Sequence, residues 1–234
     1  MIPVILAAGE GSRIGKKTTN LPKWFLEIND YRICDYQLDT LSHFFDRVVL
    51  VFGHGFSGHK EIEDVIPAHD DIEVIPLLYS DWAETENAGT ACFALNHLDR
   101  DEDLLLVCGD VIFDVSFLSS IMSAYTQIDE RSAVAAFEGI QDEKTAVALD
   151  SEQEIIEYGK IRGHEEAGLF ILNEKHLDRA ANLWSQKPHE WFPIIFPEID
   201  STAILVEDGV HYEINRLDDL KRAKRDLEGE QANS

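Results

Sequence analysis

Ile2-Pro3-Val4-Ile5-Leu6-Ala7-Ala8-Gly9-Glu10-Gly11-Ser12-Arg13, closed by Leu21-Pro22-Lys23, is the stretch whose reading decides the fold. Ile2 to Ala8 is an apolar run of strand length, and Gly9 opens a loop directly behind it. From Met1 to Leu26 there is one acid, Glu10, against four bases, Arg13, Lys16, Lys17 and Lys23. The whole chain carries 45 acids and 20 bases, a net charge of −25, so a cationic glycine-rich loop stands out against it. Glycines let backbone N–H groups approach a ligand closely, and guanidinium and ammonium groups supply countercharge to phosphates. The loop reads as a polyphosphate holder at the end of the first strand.

Spacing separates it from the two common phosphate loops. A Walker A loop needs four residues between its glycines, then Lys and Ser or Thr. Here Gly11 and Gly15 enclose only three, and Lys16 is followed by Lys17. The dinucleotide fingerprint needs glycine where this chain has Ile14. An ordinary glycine-rich strand-to-helix turn is the plain structural alternative. The pattern that remains, Leu6 to Arg13 followed by Leu21-Pro22-Lys23, resembles the signature of the nucleotidyltransferases that activate sugar phosphates and phosphocholine. The resemblance implies a single α/β domain over residues 1–234, Rossmann-like and of the GT-A-like kind, with a central mixed, mostly parallel sheet. It also implies nucleotide contacts from Leu6, Ala7, Ala8, Gly9, Glu10, Gly11, Ser12, Arg13 and Lys23.

Composition narrows the class. With 234 residues, 44% of them hydrophobic, and four Trp, the chain is globular rather than disordered. Its apolar runs, such as Leu104 to Cys108, fall far short of the roughly 18 residues that a membrane span needs. Met1 leads straight into a strand with no basic n-region, and Cys34, Cys92 and Cys108 are odd in number without metal-type spacing. A cytoplasmic location with reduced thiols is expected. A charge of −25 argues against nucleic acid or an anionic membrane as partner. Only ten of the bases are Lys, and such a surface repels itself unless salt shortens the Debye length from about 8 Å to about 3 Å. We expect a halophilic, archaeal source.

Elements alternate along the first half. After the Ile2–Ala7 strand and the loop we expect a helix near 34–45 and a central strand at 47–52, where Val48 to Phe52 is continuously apolar. A short helical piece, a strand at 72–76, a helix at 90–98, a strand at 104–108 and a helix at 116–127 follow. The second half reads as short strands at 133–138, 146–150, 155–158 and 168–172, with few helices, forming a second wall of the same cleft. A strand at 210–214 then leads into a helix at 217–227, with a frayed tail from Gly229.

Gly109-Asp110 falls at the carboxyl end of the 104–108 strand, where open α/β sheets bind ligands. The resemblance gives Asp110 the role of ligating the catalytic Mg²⁺ and Gly109 a place beside the nucleotide; the alternative is an Asp turned onto local backbone. Asp114 reads as a helix cap before Ser116. His211-Tyr212-Glu213-Ile214-Asn215 resembles the late family motif that completes the metal site. Asn215 stands where many members have Asp, so metal ligand and cap of the last helix both stay open, with Glu213 on the same side of the strand to supply a carboxylate. Asn87-Ala88-Gly89-Thr90 resembles the base-recognition run, with Asn87, Gly89 and Thr90 as contacts, or with Thr90 as a helix cap.

On the acceptor side, Glu157, Lys160 and Gly168 lie in segments similar to those that contact the phosphorylated acceptor in the family. Trp82, Trp184, Trp191 and Tyr158 form either an aromatic cage for a quaternary amine or part of the core. Arg13, Lys23 and Asp110 are the expected catalytic residues, Mg²⁺ the cofactor, and an NTP and a phosphorylated small molecule the partners. The leading product is an NDP-sugar; the alternatives are a CDP-alcohol, from phosphocholine or a similar acceptor, and a nucleotide-binding regulator without turnover. The acidity carries its own prediction: dialysis from molar salt into dilute buffer unfolds the protein, followed by circular dichroism. Full stability in dilute buffer would refute salt adaptation.

Overall fold

The structure, a computed structural model, describes residues 1–14, 20–58, 61–62, 64–66, 69–207 and 209–231. Lys16 and Lys17 of the basic loop, and parts of the helical piece expected before residue 72, lie outside the described residues. The strands in chain order are β1 (Ile2–Ala7), β2 (Glu27–Ile28), β3 (Tyr31–Arg32), β4 (Arg47–Phe52), β5 (Glu73–Leu78) and β6 (Leu104–Cys108). β7 (Val111–Phe113), β8 (Ser132–Leu149), β9 (Ile155–Leu172), β10 (Ser201–Val206) and β11 (His211–Glu213) follow. The helices are α1 (Ile33–Ser42), α2 (Asn87–Leu95), α3 (Val115–Tyr125), α4 (Leu177–Gln186) and α5 (Leu217–Gln231).

Seven strands form one sheet in the order β10-β8-β9-β6-β1-β4-β5, in which only β9 runs antiparallel to its neighbours. This is the mixed, mostly parallel α/β sheet expected from the sequence. Its central strands are apolar at nearly every position because both faces are covered. Ile5, Leu50, Leu105 and Val107 face α1, α3 and α5, whereas Val4, Val49 and Leu106 face α2, α4 and the 3₁₀ turns from Phe192 to Glu198. The chain winds from β1 outward through β4 to β5, then returns to place β6 on the other side of β1. That reversal makes the ends of β1 and β6 a topological switch point, where a crevice opens. Leu6 pairs with Val51 on one side and Cys108 on the other. Gly109 N donates to Leu6 O at 3.1 Å, and a Cβ at Gly109 would lie 2.9 Å from that oxygen. Glycine is required there to bring the two loops together.

The second half departs from the expectation in several places. The four short strands are realised as two bent strands of 18 residues each, β8 and β9. Register shifts let the far arm of β8 pair twice, Val147 facing both Tyr158 and His164. Polar positions inside these strands hid their continuity, since bulges keep a ladder going where alternation fails. A Cβ at Gly163 would meet Val147 O at 2.2 Å, so glycine permits this crossing. The helix α4 and the strand β10 were not expected; α4 alternates apolar Leu177, Ala180, Ala181 and Trp184 with charged neighbours. The expected 210–214 strand stays out of the main sheet and, as β11, pairs antiparallel with the unexpected β7. The last helix continues to Gln231, so the tail expected to fray from Gly229 is helical through that residue. Among the described residues no helix is long and apolar enough to cross a membrane.

Candidate active site

The loop behind β1 turns back over Lys23. Gly11 takes a φ of +64°, and a Cβ there would stand 2.6 Å from Lys23 Cγ, so glycine is needed for the pass. Lys23 opens a short 3₁₀ turn whose Trp24 and Phe25 pack on Phe52 of β4. A single buried amide then ties this turn to the opposite loop. Gln37 of α1 accepts from Trp24 Nε1 at 2.8 Å and donates through Nε2 to Cys108 O at 2.9 Å and Val111 O at 2.7 Å. Both sides of Gly109-Asp110 are thereby held.

The β7–β11 ribbon brings in the late segment. Val111 pairs with Glu213, and Ile214 N donates to Asp110 O at 2.8 Å. Lys23 Nζ donates to Asp110 Oδ2 at 2.6 Å and to Asn215 Oδ1 at 3.0 Å, while Asn215 Nδ2 donates to Glu213 Oε1. The structure thus brings together Lys23, Asp110, Glu213 and Asn215, from three separate stretches of chain. Asn215 does not cap α5 with its side chain. Asp219 does that work: its Oδ2 accepts from Asn215 N at 3.1 Å and Arg216 N at 2.7 Å, leaving the Asn215 amide oxygen to a charged partner. Asp114 is the helix cap expected, accepting from Phe117 N at 2.8 Å.

A cavity of about 420 Å³ opens at this switch point and is lined by every residue from Leu6 to Arg13, with Lys23, Gly109 and Asp110. Asn87 and Thr90 also line it, but Asn87 Oδ1 is engaged by Phe192 N at 2.7 Å. Thr90 is not a cap. It lies buried inside α2, which starts at Asn87 because Glu86 has the extended backbone of a first flanking residue. Gly89 does not reach the cavity; a Cβ there would meet Thr85 Oγ1 at 2.6 Å, so its absence of side chain serves packing.

A second cavity of about 400 Å³ joins the first across Arg13 and Asp110 and is walled by the crossed arms of β8 and β9. Lys160 lines it, as do Tyr158 and Lys144. Glu157 does not, because strand alternation turns it to the face opposite Tyr158 and Lys160. Gly168 does not line it either. It takes a φ of +72° and packs against Val111, where a Cβ would stand 2.6 Å from Cγ1. The four-aromatic cage is also corrected: Trp184 is fully buried, donating to Phe192 O at 2.8 Å, and Trp82 lines the first cavity. Only Tyr158 and Trp191 share the second cavity, edge to face with centroids 6.5 Å apart.

Two residues that the sequence reading missed matter here. Glu166 lines the second cavity and accepts from Gly168 N at 2.5 Å. Its carboxylate lies deep although part of the side chain still meets the open cavity, and burial, then Glu213, push its pKa up to about 8. Glu213 is raised too, first by the protein around it and then by Asp110, although its side chain is open at the cleft mouth. Burial also holds the Cys108 thiol well above its ordinary value, so it stays protonated between the two cavities. The signal for Gln37 was legible: a polar residue in the apolar stripe of Cys34, Leu38 and Leu41. Glu166 had a weaker one, an acid one step before a buried strand end.

Two outcomes are expected. Gln37→Leu leaves a buried N–H and two carbonyls without their partner, which costs roughly 1–3 kcal/mol per group. Urea unfolding should show that loss; an unchanged midpoint would refute the clamp. For Glu166 the native state binds its proton more tightly than the unfolded chain, whose value is about 4.3. Its contribution is full below that value and is lost as pH rises through about 8. The stability of Glu166→Gln relative to the native protein should therefore improve over that window and level off above it. A flat difference from pH 4 to 9 would contradict the assignment.

Comparison with known proteins agrees with this geometry. Residues 3–204 match the family model of the MobA-like NTP transferase domain. The CMP-5'-(3-aminopropyl)phosphonate synthase of Streptomyces rubellomurinus is 28% identical over 169 residues, 71% of this chain and 25% of that protein. The UTP–glucose-1-phosphate uridylyltransferase AglF of Haloferax volcanii is 31% identical over 119 residues, 50% of this chain and 46% of its own. The chain thus spans a quarter to about half the length of these curated relatives. In fold it is similar to a putative glucose-1-phosphate thymidylyltransferase of Bacillus anthracis, with a TM-score of 0.79, 15% identity and coverage of 96% and 94% of the two chains. With the family model covering most of its length and the glycine-rich loop, the strand-end aspartate and the switch-point crevice in one place, the chain belongs to the MobA-like NTP transferase family.

Proposed function

We propose that this enzyme transfers a nucleoside monophosphate from an NTP to the phosphate of a small acceptor, a sugar phosphate in the first instance, and releases pyrophosphate. One observation carries the reading: the phosphate-loop cavity and the second cavity meet at Arg13 and Asp110, so two anionic ligands have adjoining places. The relative named as a glucose-1-phosphate uridylyltransferase supports the sugar acceptor. A phosphorylated alcohol giving a CDP-alcohol is the second reading, favoured by the Tyr158 and Trp191 pair and by the relative named for a CMP conjugate. Residues 1–234 are taken as one catalytic unit, working in a salty cytoplasm. The net charge of −25 supports small-molecule partners over nucleic acid or an anionic membrane.

Asp110, Glu213 and Asn215 would hold Mg²⁺. Their fit is chemical: all offer hard oxygens, and the Asp110 and Asn215 oxygens already share one cation, the Lys23 ammonium. Bound there, Mg²⁺ would draw charge from the α-phosphate oxygens. The amides of Gly9 to Ser12 and the Arg13 guanidinium hold the β- and γ-phosphates. Lys23 sits nearest the α-phosphate and the incoming oxygen, offsetting the repulsion between two anions. An acceptor phosphate is already a nucleophile, so its oxygen attacks the α-phosphorus in line and pyrophosphate leaves. No side chain is needed to remove a proton.

Pyrophosphate release in high salt, scanned over four NTPs and a panel of sugar and alcohol phosphates, tests the reaction. Lys23→Ala and Asp110→Ala should each lower turnover about a hundredfold or more with the circular dichroism spectrum retained. Near-normal turnover in Asp110→Ala would remove the metal assignment.

A further inference from the structure

The second cavity holds a carboxylate for which the reaction above has no use. Three of its other carboxylates have partners: Glu165 is paired with Lys144 at 2.7 Å, Asp110 with Lys23 at 2.6 Å, and Glu213 accepts from the Asn215 amide. Among the described residues the Glu166 carboxylate accepts from the Gly168 backbone N–H and has no ion-pair partner, and the charges that act on it most strongly, those of Glu213, Asp110 and Glu165, are negative. Its position is built rather than incidental. Gly168, held at a φ of +72° against Val111, fixes the turn that aims its N–H at Oε2. The same cavity carries the rings of Tyr158 and Trp191, edge to face with each other. A deep carboxylate without a cationic partner is stabilised by a cation, and aromatic faces lining the same cavity favour one further. A neutral hydroxyl would be served as well by an amide, without the repulsion.

Resting on the nucleotidyl transfer proposed above, we infer that the acceptor carries a protonated amine besides its phosphate, and that Glu166 receives this ammonium while Tyr158 and Trp191 flank it. Lys160 then faces the phosphate end. A primary ammonium suits the site because it donates hydrogen bonds to Glu166, whereas a quaternary one could use only the two rings. Two sources share this chemistry, an amino sugar phosphate and an amino alcohol phosphate.

Calorimetric binding in high salt, with no turnover required, tests the inference through matched pairs. Glucosamine 1-phosphate is compared with glucose 1-phosphate, and 2-aminoethyl phosphate with 2-hydroxyethyl phosphate. In the native protein one amine should bind about tenfold or more tightly than its hydroxyl counterpart, and the pair that does so identifies the source. In Glu166→Gln that preference should fall to about threefold or less, with binding of the hydroxyl compounds unchanged. Trp191→Leu, at a half-exposed position, should weaken the amine alone if Glu166→Gln does not fold. Equal binding within both pairs, or an equal loss for amine and hydroxyl in Glu166→Gln, overturns the inference. An amine preference without pyrophosphate release from any NTP would leave the subsite standing and remove the transfer reaction instead.

Discussion

One ammonium group joins the parts of this cleft. Lys23 Nζ reaches Asp110 at 2.6 Å and Asn215 at 3.0 Å, across sequence separations of 87 and 192 residues. Both charged side chains are largely buried, with 10% and 21% of their surface exposed. Removing one member of such a pair leaves an uncompensated charge, typically about 3–5 kcal/mol, so the pair fixes where the flanking elements can sit. Gln37 reinforces it from below by binding the backbone on either side of Asp110 and the indole next to Lys23. The charges of the site are anchored to buried amides and backbone, not to the acidic surface.

Two different devices shape the two cavities. The first cavity follows from the switch point: parallel strands leave β1 and β6 side by side, and glycine at positions 11 and 109 lets the loops close up. The second cavity is built by a bent antiparallel pair, in which the far arm of β8 is laid between two arms of β9. The first is shared with any sheet of this winding. The second depends on local bulges, and it places Lys144, Tyr158, Lys160 and Glu166 along one cavity.

Much of the fold was legible because its strands are strongly patterned. Val48 to Phe52 and Leu104 to Cys108 are apolar throughout, as strands covered on both faces must be; the structure places Leu104 to Cys108 at the middle of the sheet and Val48 to Phe52 inside it, one strand from the edge. The Leu6–Arg13 stretch and Asp110 also lie together at the cleft, as their order along the chain suggested. What escaped was short or irregular. Three-residue β7 has no period to read, the polar stretches of β8 and β9 hid one continuous ladder, and Thr90 looked like a cap although it lies inside α2. Glu157 lies outside the second cavity and Glu166 lines it, because a segment pattern does not say which face of a strand a residue occupies.

The amino-acid sequence by itself determined the alternation of strands and helices, the glycine loop after β1 and the aspartate after β6. These are local properties of side-chain period and backbone freedom, expressed within a few residues. Only the tertiary structure decided that Asn215 turns its oxygen to Lys23 rather than capping α5, that Gln37 is a clamp, and that Glu166 faces the second cavity. Each of those outcomes is a choice between partners far apart in the chain. Such choices depend on burial and on competing charges, which exist only once the sheet has closed.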